Sequence, residues 1–94
     1  MSVDYQILMC TNQSSLFKDS DNMVVLNKWL KDQHGGYPRL NKLEPKSFGP
    51  EFWYCDYVKG LDQEELVAKI KSMEWSDHMF LMISSNSDPF EKVI

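Results

Sequence analysis

FWYCDYV, residues 52–58, is the stretch on which the fold of this chain depends. Apart from Asp56, every residue in it is aromatic, β-branched or cysteine, and neither glycine nor proline interrupts it. Aromatic and β-branched side chains fit the pleated surface of a sheet, so the stretch predicts a β-strand. The strand is long enough and apolar enough to lie inside a sheet rather than at its margin.

The single acid of this strand indicates which face points inward. Side chains alternate between the two faces of a strand, and an unpaired carboxylate is costly to bury, so we expect Asp56 to face water. The alternating positions are then predicted to face the core: Trp53, Cys55 and Tyr57. Two rings share the face of Asp56, where they form either a binding surface or a surface covered by a helix or loop: Phe52 and Tyr54.

Length and composition limit the classes of protein to consider. A chain of 94 residues predicts one α+β domain over 1–94, and its hydrophobic content of 43% allows a core without metals or disulfides. Residues 85–94 read as a polar C-terminal tail. The net charge of −4 disfavours duplex DNA or an anionic membrane as partner, because either would select a basic face.

Two cysteines, Cys10 and Cys55, are too few for a disulfide framework, and both lie in apolar runs. They are predicted to be buried, reduced thiols, which is typical of a cytoplasmic protein. The N-terminus has no basic segment followed by an apolar one, and no run approaches the ~18 apolar residues of a membrane span. We therefore expect neither a signal peptide nor a membrane segment.

Four elements and a short edge strand are predicted around residues 52–58. In chain order they are a strand over 5–10, a helix from Ser20 or Asp21 to Gly35, an edge strand within 37–43, a helix from Asp62 to about Met73, and a strand over 79–83. Asp62, with Glu65 three residues later, has the spacing of a capping box. Pro38 favours an edge position, because proline cannot donate to the hydrogen-bond ladder.

The order strand, helix, strand, strand, helix, strand predicts a fold class. It is the βαββαβ pattern of a ferredoxin-like α+β sandwich, with a four-stranded antiparallel sheet and two helices on one face. If 37–43 is not a strand, a three-stranded α/β sandwich remains. Many unrelated functions share this architecture, so the pattern alone does not indicate one.

Motifs for chemistry are missing from the sequence. It contains no phosphate-binding glycine loop, no zinc-ligand spacing and no nucleophile elbow, so we predict no catalytic residue, no metal ligand and no cofactor, which favours a non-enzymatic role. Half of the basic residues crowd into residues 28–46: Lys28, Lys31, Arg39, Lys42 and Lys46. We favour a solvated helix face and a lysine-protected edge over an anion-facing patch.

The leading functional hypothesis is a small non-enzymatic protein-binding module, inhibitor-like, immunity-like or regulatory. Protein interfaces are enriched in aromatic residues and arginine, and these would lie on the sheet or in the 44–50 loop. The candidate contacts are Phe52, Tyr54, Phe48, Tyr37 and Arg39. A protein partner is expected, and a homodimer is a further arrangement to consider.

Two alternatives stay open. The first is single-stranded nucleic-acid binding on the sheet, since residues 46–49 have the basic-then-aromatic order of the RNP1 motif, although Pro50 and Glu51 break that motif. The acidic composition makes nucleic acid the less favoured partner. The second is a small ligand-binding or enzymatic α+β dimer, which rests on analogy of fold alone.

Overall fold

The computed structural model describes residues 4–12, 19–35, 38–43, 50–76, 79–86 and 88–94. Its elements in chain order are β1 (Asp4–Asn12), α1 (Asp19–His34), β2 (Asn41–Lys42), β3 (Pro50–Lys59), α2 (Gln63–Lys71), β4 (Phe80–Ser85) and β5 (Glu91–Lys92). The predicted α+β class is confirmed. All neighbouring strands of the described sheet are antiparallel, in the order β2-β3-β1-β4-β5.

The sheet has five strands in the described part of the chain, so the predicted count of four was wrong. The fifth strand, β5, lies within residues 85–94 and pairs with β4. Backbone bonds extend this pairing, because the Val93 N–H donates to the Leu81 carbonyl at 2.8 Å. Covering the outer edge of β4 satisfies backbone groups that an edge strand leaves open. Two charged residues carry no strand signal, which explains why the pattern missed β5.

One buried cluster joins both helices to one face of the sheet. Its strand residues are Ile7, Met9, Cys55, Val58, Leu81 and Ile83, and its helix residues are Met23, Leu26, Leu30, Leu66 and Ile70. Each of them is at most 4% exposed. The central strand β1 contributes every second residue, as expected for a strand with one face on a core. The opposite face of the sheet is therefore the face turned away from the helices.

A β-bulge divides β3 into two parts. Tyr5 pairs with Val58 and Ile7 with Cys55, so three steps along β3 correspond to two steps along β1. The extra residue reverses the alternation, as bulges do. Cys55 is 2% exposed and Val58 is fully buried, whereas Tyr57 is 48% exposed. The prediction that Tyr57 faces the core was therefore wrong.

The helix boundaries follow identifiable hydrogen bonds. The α1 helix begins at Asp19, ahead of the predicted Ser20 or Asp21, and the buried Asp19 carboxylate accepts from the N–H and the hydroxyl of Ser76 at 3.0 and 2.7 Å. It ends against Gly35, whose φ of 78° is the left-handed conformation that favours glycine. The predicted N-cap of α2 is confirmed, because Asp62 Oδ1 accepts from the Glu65 N–H at 3.1 Å.

Candidate functional site

The face of the sheet turned away from the helices carries a strip of apolar side chains from the three central strands. Register places them in two rows, and they alternate with the buried residues: Leu8, Cys10, Phe52, Tyr54, Phe80 and Met82. We call these six residues the open face. Phe52 is 38% exposed, and Leu8, Tyr54, Phe80 and Met82 are half-buried. No described helix contributes to this face.

Two phenyl rings form the first row. Phe52 of β3 and Phe80 of β4 both pair with Cys10 of the central strand. Their centroids lie 6.5 Å apart at an interplanar angle of 66°, an edge-to-face contact. Rings that flank a residue and still touch must lean over it, which explains why Cys10 is only 4% exposed although it lies on the face turned away from the helices. This burial raises the pKa of the Cys10 thiol.

The second row crosses the whole sheet. Leu8 pairs with Tyr54 on one side and with Met82 on the other. Asn41 of β2 continues the row beyond Tyr54, and Lys92 of β5 continues it beyond Met82. The row is therefore apolar in the middle and polar at both ends. An apolar centre with a polar rim is the composition that protein interfaces have.

The predicted site residues fall into three groups. Phe52 and Tyr54 lie together on the open face, as their alternation with Cys55 predicted. Arg39 is exposed but lies beside α1, where it lines a groove with Lys28 and Lys31. The structure does not bring Arg39 together with the two rings. Tyr37 and Phe48, and with them residues 44–49 of the predicted binding loop, lie outside the described residues.

Sequence reasoning missed four of the six open-face residues: Leu8, Cys10, Phe80 and Met82. The alternation that selects them was present in β1 and β4, since Leu8 stands between the buried Ile7 and Met9. Both strands are apolar on both faces, however, and the one acid that they contain, Asp4, lies outside the predicted strand over 5–10, so it was not used to mark the outer side. The positions of Phe80 and Met82 could be recovered only by pairing β4 with β1.

A cavity of about 400 Å³ lies at the bulge. It is lined by Pro38 and by four side chains capable of proton transfer or charge: His34, Asp56, Tyr57 and Lys59. No hydrogen bond or ion pair joins these four among the described residues. Neither Cys10 nor Cys55 lines the cavity. A nucleophile held by a base is the arrangement that covalent catalysis needs, and the described residues do not form one here.

The two thiols lie buried and unbridged, as predicted. The pKa of Cys55 is raised, first by burial and also by the nearby Asp56 carboxylate, although backbone hydrogen bonds from Tyr57 and Arg39 act in the opposite direction. A raised pKa keeps the thiol protonated, and the thiolate is the reactive form. Neither cysteine has the environment of an activated nucleophile.

Comparisons with protein-family models, with curated proteins and with solved structures find no match to this chain. Within the described residues, no three histidine, cysteine, aspartate or glutamate side chains are grouped so that they could hold a metal ion. The described helices include none that is both long and apolar enough to cross a membrane.

Proposed function

We propose that this protein is a small non-enzymatic protein-binding module and that the open face is its binding surface. The scaffold of this proposal is a ferredoxin-like arrangement extended by one strand. The order β2-β3-β1-β4 supports it, because the split βαβ pattern places its first and third strands at the centre of an antiparallel sheet. The role of the fifth strand is to lengthen the sheet on the β4 side.

The observation that carries the proposal is the asymmetry between the faces of the sheet. Both helices contribute to the core on one face, while the other face presents Phe52, Tyr54, Phe80, Leu8 and Met82 with only partial cover. Aromatic residues and methionine are enriched at the centres of protein interfaces. Contiguous apolar surface of this kind marks interaction sites more often than scattered apolar residues do.

The charge distribution favours a protein over a single-stranded nucleic acid. Nucleic-acid grooves combine stacking rings with cations that follow the backbone. Here the exposed acids Asp4 and Asp56 lie in β1 and β3, two of the three strands that form the open face, while Lys28 and Lys31 lie on α1 and Arg39 lies beside it. The partner that fits is a protein with an apolar patch, whose margin meets the polar ends of the second row.

The test is capture of a partner from the native source, followed by reconstitution with that partner in purified form. Phe52→Ala and Tyr54→Ala each remove one ring from the open face and are expected to weaken binding at least about tenfold, as hot-spot truncations do. Val24→Ala is the matched control, since Val24 is 70% exposed on α1 and outside the open face.

Thermal melting of each variant separates lost binding from lost folding. Unchanged affinity in both ring variants would exclude the open face as the binding surface. A gel shift with mixed-sequence oligonucleotides, run on the same variants, tests the nucleic-acid alternative. If the wild-type protein shifts the oligonucleotides and Phe52→Ala does not, the partner is single-stranded nucleic acid and not a protein. Sedimentation at several concentrations shows whether the partner is a second copy of this chain.

A further inference from the structure

A groove lies on the helix side of the sheet, between α1 and the segment that precedes β2. Its volume is about 540 Å³, which falls within the range of small-molecule sites. Three cations line it, Lys28, Lys31 and Arg39, together with the apolar surfaces of Val24, Pro38 and Trp53. None of the lining residues that the structure describes is acidic. We call it the cationic groove.

Hydrogen bonds hold both walls of the cationic groove in place. Asn27 on α1 donates through Nδ2 to the Leu40 carbonyl at 3.1 Å and accepts at Oδ1 from the Leu40 N–H at 2.8 Å. This two-point clamp fixes the 38–40 segment against the helix. Trp53, which also lines the groove, donates its indole N–H to Thr11 Oγ1 at 2.9 Å, and this bond fixes its ring. A site with fixed walls loses little entropy when a ligand binds.

The three cations of the groove come from its two walls. Lys28 and Lys31 are three residues apart and therefore project from the same side of α1, while Arg39 faces them from the other wall. Among the described residues, the one ion pair joins Lys42 to the buried Glu51 at 3.4 Å, so that Lys42 offsets this carboxylate. Lys28, Lys31 and Arg39 make no ion pair within the described part of the chain.

Protection of the sheet edge does not account for this arrangement. Lysines on an edge strand discourage pairing with other chains, and Lys42 on β2 fits that role. Lys28 and Lys31 lie on a helix, and a helix has no such edge. In a protein of net charge −4, three cations converging on a fixed indole ring leave a local positive field that an anion would satisfy.

We propose that the cationic groove binds a nucleoside phosphate. Its phosphate groups would meet Lys28, Lys31 and Arg39, since a guanidinium and ammonium groups are the side chains that recognise phosphate. Its flat base would lie against Trp53 and the exposed Val24, since stacking on an aromatic ring tolerates any base. This site is separate from the open face, so it neither requires nor excludes the protein partner proposed above.

The experiment is a titration of the whole chain with AMP and ATP at low ionic strength, followed by calorimetry and by backbone amide spectra. Adenosine and pyrophosphate are the comparison probes, because each carries only half of the proposed chemistry. We expect the nucleotides to bind more tightly than either half and to shift the amides of Lys28, Arg39 and Trp53. The double variant Lys28→Gln, Lys31→Gln is expected to weaken ATP binding at least about tenfold.

The matched control is Lys69→Gln with Lys71→Gln, which removes the same charge from α2. It is expected to leave ATP binding unchanged, and Trp53→Phe is expected to weaken AMP more than pyrophosphate. Absence of saturable binding, or equal losses in the two lysine pairs, would overturn the proposal. Pyrophosphate binding as tightly as ATP would also overturn it, because the base would then contribute nothing.

Discussion

The two faces of this sheet are built from the same strands and from residues one position apart, yet they have different surroundings. On β1, Ile7 and Met9 are fully buried beneath the helices, while Leu8 between them is half-buried on the open face. On β4, Leu81 and Ile83 are buried, while Met82 is not. Residue chemistry hardly distinguishes the two sets, since each contains leucine and methionine.

This difference teaches that apolar content does not decide which face of a central strand is covered. Exposed Leu or Met residues are ordinary when they occur singly. Here they form a contiguous strip with two phenyl rings, because both helices pack on the other face of the sheet. The energetic consequence is that identical truncations should have unequal costs on the two faces, and that inequality can be measured.

Met9→Ala and Leu8→Ala are expected to give the largest contrast. Met9 is fully buried, so its truncation leaves a cavity and is expected to lower the free energy of unfolding by about 2–5 kcal/mol. Leu8 is half-buried on the open face, so we expect a loss of about 1 kcal/mol, in proportion to the smaller area that it buries. Urea melts of both variants measure the two values. Equal losses would mean that something covers the open face as fully as the helices cover the core.

The bulge in β3 gives a second contrast between neighbouring residues. Val58 is fully buried and Tyr57 is 48% exposed, although Tyr57 is the larger side chain. Val58→Ala is expected to cost about 2 kcal/mol of stability, and Tyr57→Ala less than about 1 kcal/mol. Chemical denaturation again measures both. A larger loss for Tyr57→Ala than for Val58→Ala would contradict the bulge and favour the unbroken alternation that the sequence predicted.

The exchange of faces at the bulge shows which part of β3 could be predicted from the sequence and which part could not. Asp56 correctly marked the outer side, so Cys55 was placed in the core and Phe52 and Tyr54 on the open face. A bulge inserts one residue without a required residue type unless it needs a positive φ, and neither Asp56 nor Tyr57 has one. The pattern therefore contained nothing that could have predicted the exposed position of Tyr57.

The open face and the cationic groove were each predictable from the sequence only in part. Alternation within one strand was enough to find Phe52 and Tyr54. Leu8, Phe80 and Met82 become part of the surface only through register between strands, which depends on long-range pairing that local sequence does not encode. The cluster of basic residues was visible in the sequence, but the clamp of Asn27 on Leu40 and the presence of Trp53 in the same groove as Arg39 and Lys28 were not.

Loss of the N-cap of α2 is expected to lower the free energy of unfolding by a smaller amount, because it affects one end of a helix and not the core. Asp62→Ala removes the acceptor for the Glu65 N–H and is expected to cost about 1 kcal/mol. Glu64→Ala is the matched control, because it removes an exposed acid from the same turn without a cap bond. Denaturant midpoints compare them. If the two variants melt alike, the contribution of Asp62 comes from its charge near the helix start rather than from the hydrogen bond.

The last prediction concerns the two phenyl rings of the open face, and its readout is the reactivity of a thiol rather than melting. Phe52→Ala removes one of the two rings over Cys10, while Cys55 stays beneath the helices. Exposure of the thiol lowers its raised pKa toward the ordinary value and increases the thiolate fraction, so native Cys10 should react faster with a thiol reagent while Cys55 does not. Mass spectrometry assigns the labelled residue, and Tyr57→Ala, which removes an exposed ring from the far end of β3, should change neither rate.

Acceleration at both thiols would indicate general opening of the domain, and acceleration at neither would mean that Phe80 alone covers Cys10. Selective acceleration at Cys10 would establish that the open face owes its one buried thiol to a pair of rings, which a binding partner could displace or cover.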